Sequence, residues 1–220
     1  EALLLMGEYK RVLNEIQPSE KTSKQNVARI YQIRAEAMFN QQNVKDACAL
    51  FQKSLEVDAG NPPTYWGLAQ CALVDHDPVK ARALLDSALK INSRQAQTWV
   101  FIGNLESFNK NQQSAIAAYT NALKIDPNHL EALQNRAALY LADKQLDAAQ
   151  KDVEHVNTVA RKSITAYYLQ ALLNFEQKNF AAAQDAQTPG KQRKRYGRPQ
   201  TCRQTQKSGT ASLHYPGRNG

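Results

Sequence analysis

The chain repeats itself every 34 residues. Two stretches set the register: PPTYWGLAQCALVDHDPVKARALLDSALKINSRQ (62–95) and AQTWVFIGNLESFNKNQQSAIAAYTNALKIDPNH (96–129). Thr64 falls on Thr98, Tyr65 on Trp99, Leu68 on Ile102, Ala81 on Ala115, Leu85 on Tyr119 and Ala88 on Ala122. The period extends backward to 28–61 and forward to 130–163, and a fifth partial unit occupies 164–187. Each unit holds two apolar stripes at helical spacing. Two such helices cannot bury their apolar faces alone, so neighbouring units must stack.

Small residues recur where helices must touch. Ala35, Ala69, Gly103, Ala137 and Ala171 lie on the first helix of each unit, and Ala47, Ala81, Ala115, Ala149 and Ala183 on the second. The same register puts Tyr31, Tyr65, Trp99 and Tyr167 in the core. Asp77-Pro78 reads as an N-cap followed by proline in the first helical position. Asn128 with Glu131 reads as a capping box, and Ser23 as the cap of a slightly lengthened helix. Residues 1–17 are expected to end a truncated preceding unit, with 18–27 as a polar link. In unit five the second helix is expected to begin at NFAAAQDAQ, from Asn179.

The pattern resembles the tetratricopeptide repeat. The resemblance rests on Trp99, Ile102, Gly103, Ala115, Tyr119, Ala122 and Pro127, and on five units in phase. It implies an all-α, right-handed α-solenoid acting as a non-catalytic scaffold for a protein or peptide partner. The stretches ALLLMGEYKRVLNEI and KARALLDSALKIN further resemble bacterial repeat lipoproteins associated with exopolysaccharide export and exosortase sorting. That likeness implies a bacterial envelope location rather than the cytoplasm, with assembly partners from polysaccharide export. The compartment is not read from the cysteines.

In this family the first helices line a concave groove. Carried over by register, the groove row is Gln32, Trp66, Val100, Gln134 and Tyr168. One turn on come Glu36, Gln70, Asn104, Ala138 and Leu172, then Phe39, Leu73, Ser107, Leu141 and Phe175, with Phe108 beside them. The adjacent pair Tyr65-Trp66 is thereby divided, the first to the core and the second to the groove. The family's carboxylate clamp needs two asparagines and three cations. Asn104 and Asn135 match, but Val100, Thr165 and Leu169 stand where cations are required. No binding of a chaperone's C-terminal carboxylate is expected. The two asparagines are expected to bond a peptide backbone instead.

Other function classes find little support. His76, His129, His155 and His214 share no ligand spacing with one another or with cysteine, so no metal or cofactor is implied. There is no phosphate loop, nucleophile elbow or other catalytic constellation. Cys48, Cys71 and Cys202 suggest no disulfide framework, and the first two read as buried apolar groups. No apolar run has the roughly 20 residues of a membrane span. The opening is not that of a signal peptide, and Glu1 is not an initiator Met, which reads as an excised or processed chain. The net charge of +8 is misleading about nucleic acid. Residues 1–187 hold 20 basic and 20 acidic residues, whereas 188–220 hold eight basic and none acidic. Nucleic-acid or anionic-surface binding would therefore rest on this tail alone. The tail reads as a basic arm, a disordered end, or foreign sequence.

Overall fold

The computed structural model describes residues 2–160 and 163–187, with side chains through residue 177. Its helices run in the order α1 (Ala2–Leu5), α2 (Tyr9–Glu15), α3 (Lys24–Asn40), α4 (Val44–Val57), α5 (Pro62–Val74) and α6 (Pro78–Ile91). Then come α7 (Ala96–Phe108), α8 (Gln112–Ile125), α9 (Leu130–Ala142), α10 (Leu146–Val159) and α11 (Ile164–Gln187). Residues 1–178 form one compact unit. In it α3 pairs with α4, α5 with α6, α7 with α8 and α9 with α10, and each pair stacks on the next. This is an all-α solenoid in the predicted register.

The turn inside each pair is built the same way four times. Gln42, His76, Lys110 and Lys144 all have positive φ, between 58° and 64°, and lie 34 residues apart. The next amide then reaches back to close the first helix: Asn43 N to Met38 O at 3.0 Å, Asp77 N to Ala72 O at 2.8 Å, Asn111 N to Glu106 O at 2.8 Å and Gln145 N to Tyr140 O at 2.9 Å. This left-handed closure satisfies carbonyls that the helix end would leave unbonded. Asp77 also caps α6 as expected, accepting from Lys80 N at 2.8 Å ahead of Pro78. Ser23 caps α3 by accepting from Asn26 N at 3.3 Å.

The core is a string of clusters, each joining a unit to its neighbour. Ala69, Ala81 and Leu85 pack with Ile102 and Leu105 of the following unit. Leu133 and Val156 pack with Ala166 in the same way. Close approach is literal at Gly103, where an added Cβ would lie 2.4 Å from the Tyr119 ring. At the N-terminal end Val12 of α2 is fully buried against Ile33 and Ala37, as a second helix of a preceding unit would be. Arg34 ties down that end by donating to the carbonyls of Leu13 and Ile16, both at 2.9 Å.

Four expectations need correction. First, α11 is one helix from Ile164 to Gln187, without the turn that Lys178 should supply. Tyr167 is 64% exposed and Ala171 is exposed, with no second helix over them among the described residues. Ala183 lies beyond the described side chains, and the basic tail 188–220 lies outside the described residues. Second, Asn128 and Glu131 form no capping box. His129 is the N-cap of α9, accepting at Nδ1 from Ala132 N, while Asn128 bonds His155 across the unit boundary. Third, Tyr65 is half-buried and its hydroxyl donates to Ala59 O at 3.0 Å, so it edges the core rather than filling it.

Fourth, Cys48 and Cys71 are disulfide-bonded, with Cα atoms 5.9 Å apart. They sit on α4 and α5, one residue from Ala47 and Ala72, where the helices of successive units meet. A separation of 23 residues carries no short-range cue, but the stacking brings the two side chains together.

Candidate functional site

The residues expected to share one groove divide into three groups. Val100 is fully buried between α7 and its neighbours, and Gln32 is 6% exposed with its amide donating to Glu36. Neither is open to a ligand. Trp66 is half-buried, its indole N–H donating to Thr98 Oγ1 at 3.0 Å and its ring meeting Phe101 at 5.4 Å between centroids. It locks α5 onto α7 and so serves the joint between units two and three. The row has turned toward the following unit, because successive first helices pack side by side and claim that face. Gln70 and Gln134 are half-buried. Phe108 and Tyr168 are open, at 70% and 61% exposure.

The structure gathers Asn104, Phe108 and Asn135 into one place. With Ser107, Tyr119, Ala138 and Leu139 they line a cavity of about 380 Å³ between units three and four. Its floor is polar and its walls are apolar. The Tyr119 hydroxyl donates to Asn104 Oδ1 at 2.7 Å, and Asn135 Nδ2 donates to the same oxygen at 2.9 Å. Asn104 Nδ2 in turn donates to Glu131 Oε1 at 3.0 Å. Gln97 Nε2 donates to Glu131 Oε2 at 3.2 Å, which leaves Gln97 Oε1 to accept from His129 Nε2 at 3.0 Å. The histidine tautomer with hydrogen on Nε2 satisfies both of its bonds.

Every bond in this network runs toward Glu131. Both lone pairs of Asn104 Oδ1 are occupied, and one of its two Nδ2 hydrogens is given to Glu131, so what Asn104 has left to offer is a single N–H. Asn135 donates through Nδ2, and its Oδ1 accepts no side-chain bond among the described residues. Burial raises the Tyr119 phenol to about 12; the neighbouring Asn135 amide works against this and the Glu131 charge adds to it. The hydroxyl is therefore a fixed neutral donor at physiological pH. Gln97 and Leu139 were not singled out from sequence, and Tyr119, His129 and Glu131 were read there as a repeat-core residue, a histidine without ligand spacing and a helix cap, not as residues of a site. Gln97 and Glu131 are each the second residue of their units, 34 apart, and that row was the available signal.

No group of His, Cys, Asp and Glu among the described residues has the arrangement of a metal site. None of the described helices is long and apolar enough to cross a membrane.

Three tetratricopeptide repeat models match the sequence, over residues 38–99, 96–129 and 118–151. This chain belongs to the tetratricopeptide repeat family. Such proteins bind protein or peptide partners and are generally non-catalytic scaffolds. Among curated relatives, U-box domain-containing protein 70 of Oryza sativa subsp. japonica is 29% identical over 140 residues, covering 60% of this chain and 16% of that protein. The heat-shock protein cognate co-chaperone sgt12 of Aspergillus fumigatus is 34% identical over 88 residues, 40% of this chain and 26% of that one. The tetratricopeptide chain thus spans about a quarter or less of the relatives it matches. Among solved structures, pilF of Pseudomonas aeruginosa superposes with a TM-score of 0.65 at 18% identity, covering 74% of this chain and 75% of that one. A MamA crystal structure gives 0.52, also at 18% identity, covering 70% and 94%. These likenesses show the fold.

Proposed function

We propose that this tetratricopeptide repeat chain is a non-catalytic scaffold that holds a peptide segment of a protein partner at the cavity between units three and four. The observation that carries this reading is the exposed Phe108 beside the fixed polar floor of Tyr119, Asn104 and Asn135. An aromatic group left 70% exposed at the rim of a concavity gains apolar burial when a partner covers it. The floor is already bonded, so it needs no rearrangement to receive one, which lowers the ordering cost of binding.

The test is a selection of displayed 12-residue peptides against the full chain. Peptides that bind should lose about tenfold in affinity on Phe108→Ala. They should be unaffected by Val79→Ala, an exposed position on α6. Loss on Val79→Ala in place of Phe108→Ala would move the site to the cavity that Val79 lines with Arg82 and Glu106, and absence of any binding peptide would refute groove binding.

We also propose an oxidising compartment, the bacterial envelope being the one the sequence favours. The Cys48–Cys71 bond supports it, since such bonds persist outside reducing cytosol. Alkylation of protein drawn unreduced from its own cells should leave both cysteines unlabelled; labelling of both would refute the assignment.

A further inference from the structure

We propose that Glu131 sets the ligand class of the cavity, selecting a neutral-to-basic peptide that places an aliphatic or aromatic side chain against Phe108 and a Lys or Arg at the carboxylate. This rests on the groove-binding reading and adds to it a charge preference. Glu131 is the one formally charged side chain in the hydrogen-bond network; it stands outside the cavity's lining but bonds Asn104, which lines it. Its partners are two amides, Gln97 and Asn104, and no Lys or Arg bonds it among the described residues. The carboxylate is thus fixed in direction without being neutralised.

Its capacity is also unspent. A carboxylate offers about four lone-pair sites, and here each oxygen accepts one bond. Glu131 is half-buried, so part of it meets solvent and can meet a ligand cation. The contrast with Asp152 is instructive. That carboxylate is buried and met by the Arg136 guanidinium at both oxygens, 2.7 and 2.8 Å away, so its charge is neutralised and it is out of a partner's reach.

The rest of the cavity fits an apolar anchor. Phe108, Ala138 and Leu139 form the walls, and about 380 Å³ accommodates a Leu, Ile or Phe side chain with room for adjoining backbone. Asn135 Oδ1 accepts from a peptide N–H. An acidic peptide or a free C-terminal carboxylate would instead meet Glu131 with like charge, which matches the missing cations at Val100, Thr165 and Leu169. A structural role for Glu131 at the start of α9 is the competing account, since an acid there also favours the helix dipole. That role acts on folding alone and predicts no ligand preference.

The experiment uses the peptides selected above, synthesised with acetylated and amidated ends. Lys or Arg within four residues of the apolar anchor should be enriched. Replacing that Lys by norleucine should weaken binding about three- to fivefold on the native chain, the upper range of a partly exposed ion pair. The same replacement should change binding less than twofold on Glu131→Gln. Gln97→Met, which frees one oxygen but keeps the charge, should retain the native preference, and serves if Glu131→Gln melts early. Enrichment of acidic residues, or an equal norleucine effect on native and Glu131→Gln protein, would overturn the proposal while leaving groove binding intact. Failure of any peptide to respond to Phe108→Ala would remove groove binding itself.

Discussion

Arg136 stands where units two and three carry Leu68 and Ile102, on the face of the first helix that meets the second. Its side chain is 17% exposed and that of its partner Asp152 7%, and it also donates to Thr120 and lies over the Tyr140 ring. Burial works against the charge of Arg136, but the bond and charge of Asp152 outweigh it, and the guanidinium is held above its ordinary value. Removing one partner alone strands a buried charge. Arg136→Leu should therefore cost about 3–5 kcal/mol in urea denaturation, whereas Arg136→Leu with Asp152→Leu should return to within about 1–2 kcal/mol of native. A double variant no more stable than Arg136→Leu would show that the pair is not acting as a unit. Tyr119 allows a second prediction at this scale. Its phenol is raised from 10.0 to about 12 in the fold, so the stability it contributes is complete below pH 10 and is lost as pH rises to about 12. The amount is on the order of 2–3 kcal/mol. Denaturation series at pH 9 and pH 11.5 should show this loss in native protein and not in Tyr119→Phe, which should itself cost about 1 kcal/mol at neutral pH through its lost bond to Asn104.

The helices explain what a sequence reader can and cannot see. The 34-residue register gave the hairpins and the Ala and Gly contacts, because periodicity reports directly on which faces are buried. The left-handed turns also recur at 34-residue intervals, but their residue types did not mark them. Gln42, His76, Lys110 and Lys144 hold positive φ where glycine is the usual choice. Lys110→Gly should thus stabilise the chain by a few tenths to about 1 kcal/mol, even though Gly is normally destabilising; a lower melting midpoint would refute this account of the turn. The groove was less legible. Trp66 and Val100 share a register position, yet one spans the joint to Phe101 and Thr98 and the other is fully buried. Period alone marks a face of one helix, but whether that face meets a ligand or the next helix depends on how units stack. Glu131 was hidden for a related reason, since its partners lie 27 and 34 residues away in another unit.

At the scale of the molecule, stability in a stacked array is roughly a sum of unit terms and nearest-neighbour joints. The joints here are unequal. Units one and two share a covalent link, Cys48–Cys71, whereas units three and four share the polar network around Asn104 and the cluster of Val100 with Ala132. At the far end, Tyr167 of α11 is exposed, with no second helix over it among the described residues. Closing a loop of 23 residues stabilises by about 3 kcal/mol in the chain-entropy model. That gain is local, because each unit touches only its neighbours. Reduction should therefore act on one end. Under reducing conditions, amides of α3 to α6 should exchange about a hundredfold faster, while those of α7 to α10 change little. The α11 amides should exchange faster than those of α7 to α10 in both states, since that helix packs through Ala166, Leu169 and Leu173 and leaves Tyr167, Tyr168 and Phe175 exposed. The same pattern should follow Cys48→Ala with Cys71→Ala, which separates loss of the bond from any effect of the reductant. A uniform rise along the whole array would mean that the solenoid unfolds as a single cooperative block. Its joints would then be too strong for the disulfide to be a regional support, and ligand held between units three and four would sense the redox state of a bond two units away.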